Sequence, residues 1–210
     1  MSLRQLVAAR FPLRPRTPAA LVPSGVRSID EPLGGGLPAG RLTELVSGAP
    51  SSGGQSVLAA LLLSTRSARR RVALVDGADG FDPRALPEDS LRHLVWARCA
   101  DAEGALAAAD ILVRDVNYAA LVLDLRGLRE RALRQLPAAG WHRLQRAAEH
   151  GAAAVLVQTP FPLVPAVPLR LSLDSPLALA TCRLARSDLI ARMPASLVRG
   201  HAEETRELAG

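Results

Sequence analysis

The sequence runs to 210 residues, 49% of them apolar and only 3% aromatic, which suits one domain with a buried core and at most a small appendage. Its 26 basic residues against 20 acidic ones give a formal net charge of +6, and every one of the 26 is arginine. Chemistry that needs a lysine is therefore excluded, whether a Schiff base, a lysine general base or the lysine of a phosphate-binding loop.

Ser2 to Arg10 has helical spacing, with Leu3, Leu6, Val7 and Arg10 one or two turns apart, and Pro12, Pro15, Pro18 and Pro23 then mark Phe11 to Pro23 as an extended linker. The start lacks the apolar centre of a signal peptide, and no apolar run approaches the roughly 18 residues of a membrane-spanning helix. A cytoplasmic protein with no membrane partner is expected. From residue 42 onward the pattern alternates between short β-type runs and helical stretches, the signature of βαβ units and a mostly parallel sheet. It predicts strands over 42–46, 72–76, 94–99, 120–125 and 154–158 and helices over 55–67, 101–113 and 138–150.

Asp101 is placed to cap the second of these helices. The third is amphipathic, with Trp141, Leu144, Ala148 and Gly151 on one face and His142, Arg143, Arg146 and His150 on the other. Pro160 to Pro168 carries too many prolines for a central strand and reads as a loop. Strands over 169–173 and 178–185 are predicted to form a hairpin at a sheet edge, and the polar stretch after Pro194 to be peripheral. The expected organisation is an N-terminal helix and linker over 1–23, an α/β core over 24–194 and a polar tail over 195–210.

The strand at 42–46 runs into Ser47-Gly48-Ala49-Pro50-Ser51-Ser52-Gly53-Gly54-Gln55-Ser56 and then into an apolar helix, the setting of a phosphate loop. Gly48 and Gly53 hold the spacing of the two glycines in G-x-x-x-x-G-K-[ST], whose backbone amides cradle phosphate at a helix N-terminus. Gly54 stands at the lysine position and Gln55 at the hydroxyl position, followed by Ser56. On composition alone the stretch reads equally as a Gly/Ser-rich surface connection.

The segment before it is more particular: Leu33-Gly34-Gly35-Gly36-Leu37-Pro38-Ala39-Gly40-Arg41 followed by a strand containing Glu44. Together with Ala73-Leu74-Val75-Asp76, Phe81-Asp82-Pro83, the apolar run ending in Asp124 and the strand ending in Gln158, it resembles the RecA recombinase family over about residues 24–190. The resemblance implies a RecA-like α/β core. It makes Gly48, Gly53, Gly54, Gln55, Ser56, Asp124 and Gln158 a vestigial nucleotide site, with Asp124 at the position of a magnesium-associated aspartate and Gln158 at that of a nucleotide-sensing glutamine. The family's catalytic glutamate falls on Ala78, and Arg126 to Gln135 and Pro160 to Pro168 replace the family's two DNA-binding loops.

Such a degenerate pattern, with Leu169-Arg170-Leu171 late in the chain, resembles the ImuA family of mutagenesis accessory proteins; the SulA family of cell-division inhibitors acting on FtsZ is the neighbouring alternative. The ImuA-like reading implies a non-catalytic, nucleoid-associated role in SOS-induced translesion synthesis, restraining RecA-mediated recombination and needing no cofactor. Its implied partners are RecA, a polymerase-like mutasome subunit of the ImuB type and an error-prone C-family DNA polymerase, with a homo-oligomer left open. The partner arm on this reading is Leu3, Leu6, Val7 and Phe11. A DNA-dependent ATPase drawing its charge from an arginine or from a neighbouring subunit is the rival from another class.

Outside the loop, Asp76 and Asp124 read first as caps of the turns that follow them rather than as metal-binding groups, and Gln158 reads equally as a hydrogen-bonding partner of loop backbone. The four histidines are scattered, the serines lack a nucleophile elbow, and Cys99 and Cys182 are too few for a disulfide framework or a zinc site, so no catalytic residue and no metal site is expected. Arg126, Arg129, Arg131, Arg134, Arg143 and Arg146 form the candidate surface for DNA phosphates or an acidic partner; with Trp141 the only aromatic residue near them in sequence, base stacking is not supported.

Overall fold

The predicted strands are runs of alanine, valine and leucine with little polar alternation, as a parallel sheet covered on both faces requires. In the computed structural model, which describes residues 20–48, 52–173 and 183–200, six of them join a seventh strand, over Ser196–Arg199, in one seven-stranded sheet. In chain order the elements are β1 (Leu21–Val22), α1 (Arg27–Asp30), β2 (Leu37–Pro38), β3 (Leu42–Val46), α2 (Gly54–Ser67), β4 (Arg71–Asp76), α3 (Glu88–Leu91) and β5 (Leu94–Arg98). There follow α4 (Ala102–Leu112), β6 (Tyr118–Asp124), α5 (Glu130–Arg134), α6 (Ala138–His150), β7 (Ala154–Thr159), β8 (Leu169–Ser172), α7 (Arg186–Ala191) and β9 (Ser196–Arg199). The sheet order is β5-β4-β6-β7-β3-β8-β9, parallel except for β9, while β1 and β2 pair with each other outside it.

Alternation along each strand sorts the core into two layers. Leu45, Val72, Leu74, Val122 and Leu156 face one side, where α2 supplies Val57, Leu58, Leu61 and Leu62. Ala73, Val75, Leu121, Leu123, Val155 and Val157 face the other, against Ala105 and Leu106 of α4 and Trp141 and Leu144 of α6. Asp101 caps α4 by accepting from the Gly104 amide at 2.7 Å. On α6 the apolar face is buried and His142, Arg143, Arg146 and His150 are exposed, as the periodicity predicts. The Gly34-Gly35-Gly36 turn brings β2 against β1 so closely that a Cβ on Gly36 would lie 2.6 Å from the Val22 carbonyl, so only glycine fits.

Two expectations at the C-terminal end are corrected. The antiparallel partner of β8 is β9, with Leu171 opposite Leu197, rather than a strand over 178–185; of that stretch, residues 183–185 are not strand and the rest lies outside the described residues. Residues 196–199, expected in a peripheral tail, thereby close the sheet edge, because Leu197 can pack on the core while Ser196, Val198 and Arg199 stay at the surface. The stretch predicted as an N-terminal helix, and with it Leu3, Leu6, Val7 and Phe11, lies outside the described residues, as does Cys182. Cys99 is half-buried, and desolvation pushes its thiol pKa up. No helix among the described residues is long and apolar enough to cross a membrane.

One buried histidine gives the core a pH dependence. Thr65 Oγ1 donates to the Leu61 carbonyl at 2.7 Å and lies 3.0 Å from His93 Nε2, which therefore carries the proton and leaves Nδ1 without a partner. Burial, reinforced by the Arg66 charge, holds the His93 pKa below its usual 6.5. The unfolded chain thus takes up a proton first as pH falls through about 6.5. Stability is full above that pH and declines below it until the folded state also protonates. Urea titrations from pH 7.5 to 5 should show this decline, and His93→Gln should remove that component.

Candidate functional site

The phosphate-loop stretch lies where an open parallel sheet places its ligand crevice, at the carboxyl ends of β3, β6 and β7. Gly53 precedes α2 in the left-handed region, with φ of 100°, and the helix starts at Gly54. Ala49, Pro50 and Ser51 lie outside the described residues. Gln55 turns away from the loop to the Gly80 carbonyl at 3.4 Å.

The register sets Asp76, Asp124 and Gln158 side by side on adjacent strands, and each ends in a different set of partners. Asp76 is 1% exposed and accepts from the Gly80 and Phe81 amides at 3.0 and 2.9 Å, and from Ala78 N and Trp96 Nε1 at 3.3 Å. It organises the turn after β4. Asp124 accepts from Arg126 three times, from the backbone amide at 3.1 Å, from Nε at 2.9 Å and from Nη2 at 2.5 Å. Gln158 donates through Nε2 to the Gly54 carbonyl at 3.2 Å, while its Oε1 and the nearby Ser47 Oγ are buried without partners.

Arg126 is thereby drawn out of the surface arginine set and into the loop. A Cβ built on Gly54 would lie 2.6 Å from the Arg126 Cζ, so the guanidinium rests directly on the residue at the lysine position. The carboxylate that could approach a metal is committed to this guanidinium, and the position that could approach phosphate is covered by it. These residues do not fit a magnesium nucleotide, and no group of three metal-ligating side chains occurs among the described residues.

The other arginines separate into four places. Arg134 pairs with Glu130 at 2.7 Å and stacks over the Phe161 ring at 4.5 Å, joining the stretches Arg126 to Gln135 and Pro160 to Pro168. Arg129 lines a cavity of about 590 Å³ with Ala78, Asp79, Cys99, Asp101 and Gly127, and Arg131 is on the exposed side of α5. Arg143 and Arg146 line a second, open cavity of about 600 Å³ with His142, Glu149 and Ala166.

Sequence reasoning missed the role of Glu44. It is fully buried, and its Oε1 accepts from Thr159 Oγ1 and from the amides of Leu163 and Val164, while Oε2 pairs with Arg170 Nε at 2.6 Å. Arg170 also donates to the Val164 carbonyl at 3.1 Å. A glutamate inside an apolar central strand, with an arginine inside an equally apolar later one, was the available signal.

No protein-family model matches the sequence. Over 108 residues, 50% of this chain, it is 34% identical to the protein RecA of Picosynechococcus sp.. It is 34% identical over 115 residues to the RecA of Streptomyces avermitilis, and 37% identical over 115 residues to that of Salinispora arenicola, 53% of this chain in both cases. The chain spans only 30 to 32% of the length of these relatives. About half of the chain is therefore homologous to RecA proteins, and its mostly parallel seven-stranded sheet is consistent with a RecA-like core.

Proposed function

We propose that this protein is a non-catalytic, RecA-like accessory factor of DNA-damage tolerance, similar in role to the ImuA family. The observation that carries the reading is the joint departure at Gly54, Gln55 and Ala78 within a chain whose sequence is otherwise RecA-like over half its length. Losing the lysine and the metal-binding hydroxyl removes two charged contacts worth about 1.5–3 kcal/mol each, or roughly two to four decades of nucleotide affinity. What remains is a surface for proteins. The partners proposed are RecA itself, a polymerase-like mutasome subunit and an error-prone C-family polymerase, bound so as to favour lesion bypass over recombination.

The test is retention of purified RecA, of the polymerase-like mutasome subunit and of the C-family polymerase, each in turn, on the immobilised full chain, run beside an ATPase assay with single-stranded DNA. RecA capture with no hydrolysis above background is expected; turnover that Asp124→Ala abolishes, or no capture of any of the three partners, overturns the reading. Removing residues 1–20, with Leu3, Leu6, Val7 and Phe11, should leave the melting temperature unchanged and abolish capture. A lower melting temperature with intact RecA binding would assign the arm to its own domain instead.

A further inference from the structure

Beside Gly54, the residue at the lysine position, lies a cation supplied by β6's end, the Arg126 guanidinium. The Arg126 side chain is 19% exposed and that of Asp124 8%, so the pair is largely withdrawn from water. Nε and Nη2 of Arg126 are spent on the two Asp124 oxygens, and the remaining edge of the guanidinium lies against Gly54. From the other side Gln158 fastens the Gly54 carbonyl to β7.

We propose that the Asp124–Arg126 ion pair is a built-in occupant of the phosphate loop's cation position, which keeps the loop closed to nucleotide phosphates and makes Gly54 and Arg126 an interdependent pair. Three points carry this. A Cβ on Gly54 would meet Nη1, Cζ and Nε of Arg126, so any side chain there has to displace the guanidinium from Asp124, and the glycine is what lets the pair keep this placement. A phosphate approaching Arg126 meets a buried carboxylate already bonded to that guanidinium, and the like charge repels it. Withdrawing Arg126 to serve the phosphate would strand Asp124 as an unpaired buried charge. The alternative in which Arg126 replaces the lysine as a phosphate ligand predicts the opposite response to its removal.

The experiment compares four full-length proteins, namely wild type, Gly54→Lys, Arg126→Ala and the double variant, by thermal melting and by calorimetric titration with inorganic pyrophosphate and with magnesium ADP. Gly54→Lys alone should melt well below wild type and bind neither probe, since the new side chain collides with the guanidinium and adds like charge to it. In the double variant the melting temperature should recover relative to Gly54→Lys, and pyrophosphate affinity should exceed that of Gly54→Lys at least tenfold. Equal affinity in those two variants, including none in either, or no recovery of melting temperature, overturns the proposal. So does wild-type binding of pyrophosphate that Arg126→Ala weakens tenfold, which would make Arg126 the phosphate's own ligand. Should the uncompensated Asp124 unfold the double variant, Gly54→Lys/Asp124→Asn/Arg126→Ala carries the same comparison. Neither measurement involves RecA or a polymerase, so failure here leaves the accessory role standing, and failure of RecA capture leaves the closed loop standing.

Discussion

Glu44→Ala should be among the most damaging single substitutions in the chain, lowering stability by about 3–5 kcal/mol, the usual cost of removing one partner of a buried ion pair. It strips Arg170 of its counter-charge and leaves the Leu163 and Val164 amides and the Thr159 hydroxyl without their acceptor. For a chain of this size each kcal/mol shifts the melting temperature by roughly 2–4 °C, so a fall of about 6–20 °C is expected in a thermal scan. Hydrogen exchange should locate the loosened region at Pro160–Pro168. Glu44→Met with Arg170→Met should recover much of the loss, because two apolar side chains of similar volume need no counter-charge. A double variant no better than Glu44→Ala would show that the amide contacts, and not the charge pairing, dominate.

Asp76→Ala should cost at least about 3 kcal/mol, since hydrogen bonds to a charged acceptor contribute about 1.5–3 kcal/mol each and are only partly additive. The Gly80 and Phe81 amides lose their acceptor, and so does the indole N–H of Trp96, whose ring meets Phe81 edge-on at a centroid distance of 5.2 Å. Trp96 and Trp141 are the two tryptophans of the chain, so a Trp141→Phe background isolates the Trp96 emission, which should move to the red in Asp76→Ala. Magnesium should leave the wild-type melting temperature unchanged. A magnesium-dependent rise that Asp76→Ala removes would instead return Asp76 to a metal-binding role.

The layered sheet was legible in the sequence because its strands are continuous apolar runs broken by glycine, proline and charged residues. The strand predicted over 42–46 and the helix predicted over 138–150 match Leu42–Val46 and Ala138–His150. The edge was not legible, because Ser196–Arg199 has only Leu197 to anchor it and its pairing with β8 crosses the intervening helix Arg186–Ala191 rather than a tight turn. The Gly/Ser-rich loop announced itself through spacing, yet spacing places Arg126 among surface arginines with Arg129 and Arg131. Its true neighbour, Gly54, meets it only once β3 and β6 are in one sheet. Glu44 looked like one more matched residue of a strand, since nothing local to Leu42–Val46 reveals a partner on β8.

The position of β3 between β7 and β8 has a consequence for how the chain comes off the ribosome. Its neighbours on both sides are made late: the Glu44 contacts to Thr159 and Arg170 span 115 and 126 residues. Strands β4, β5 and β6 can pair as they emerge, being close in sequence, but β3 must wait with both backbone edges open until β7 has been synthesised. During that interval an apolar strand and its glycine-rich loop are exposed together, the condition in which nascent chains recruit chaperones or aggregate. A ribosome-bound chain whose β7 has not yet emerged from the exit tunnel should therefore remain protease-sensitive at Leu42–Val46, and emergence of β7 and then of β8 should protect that strand.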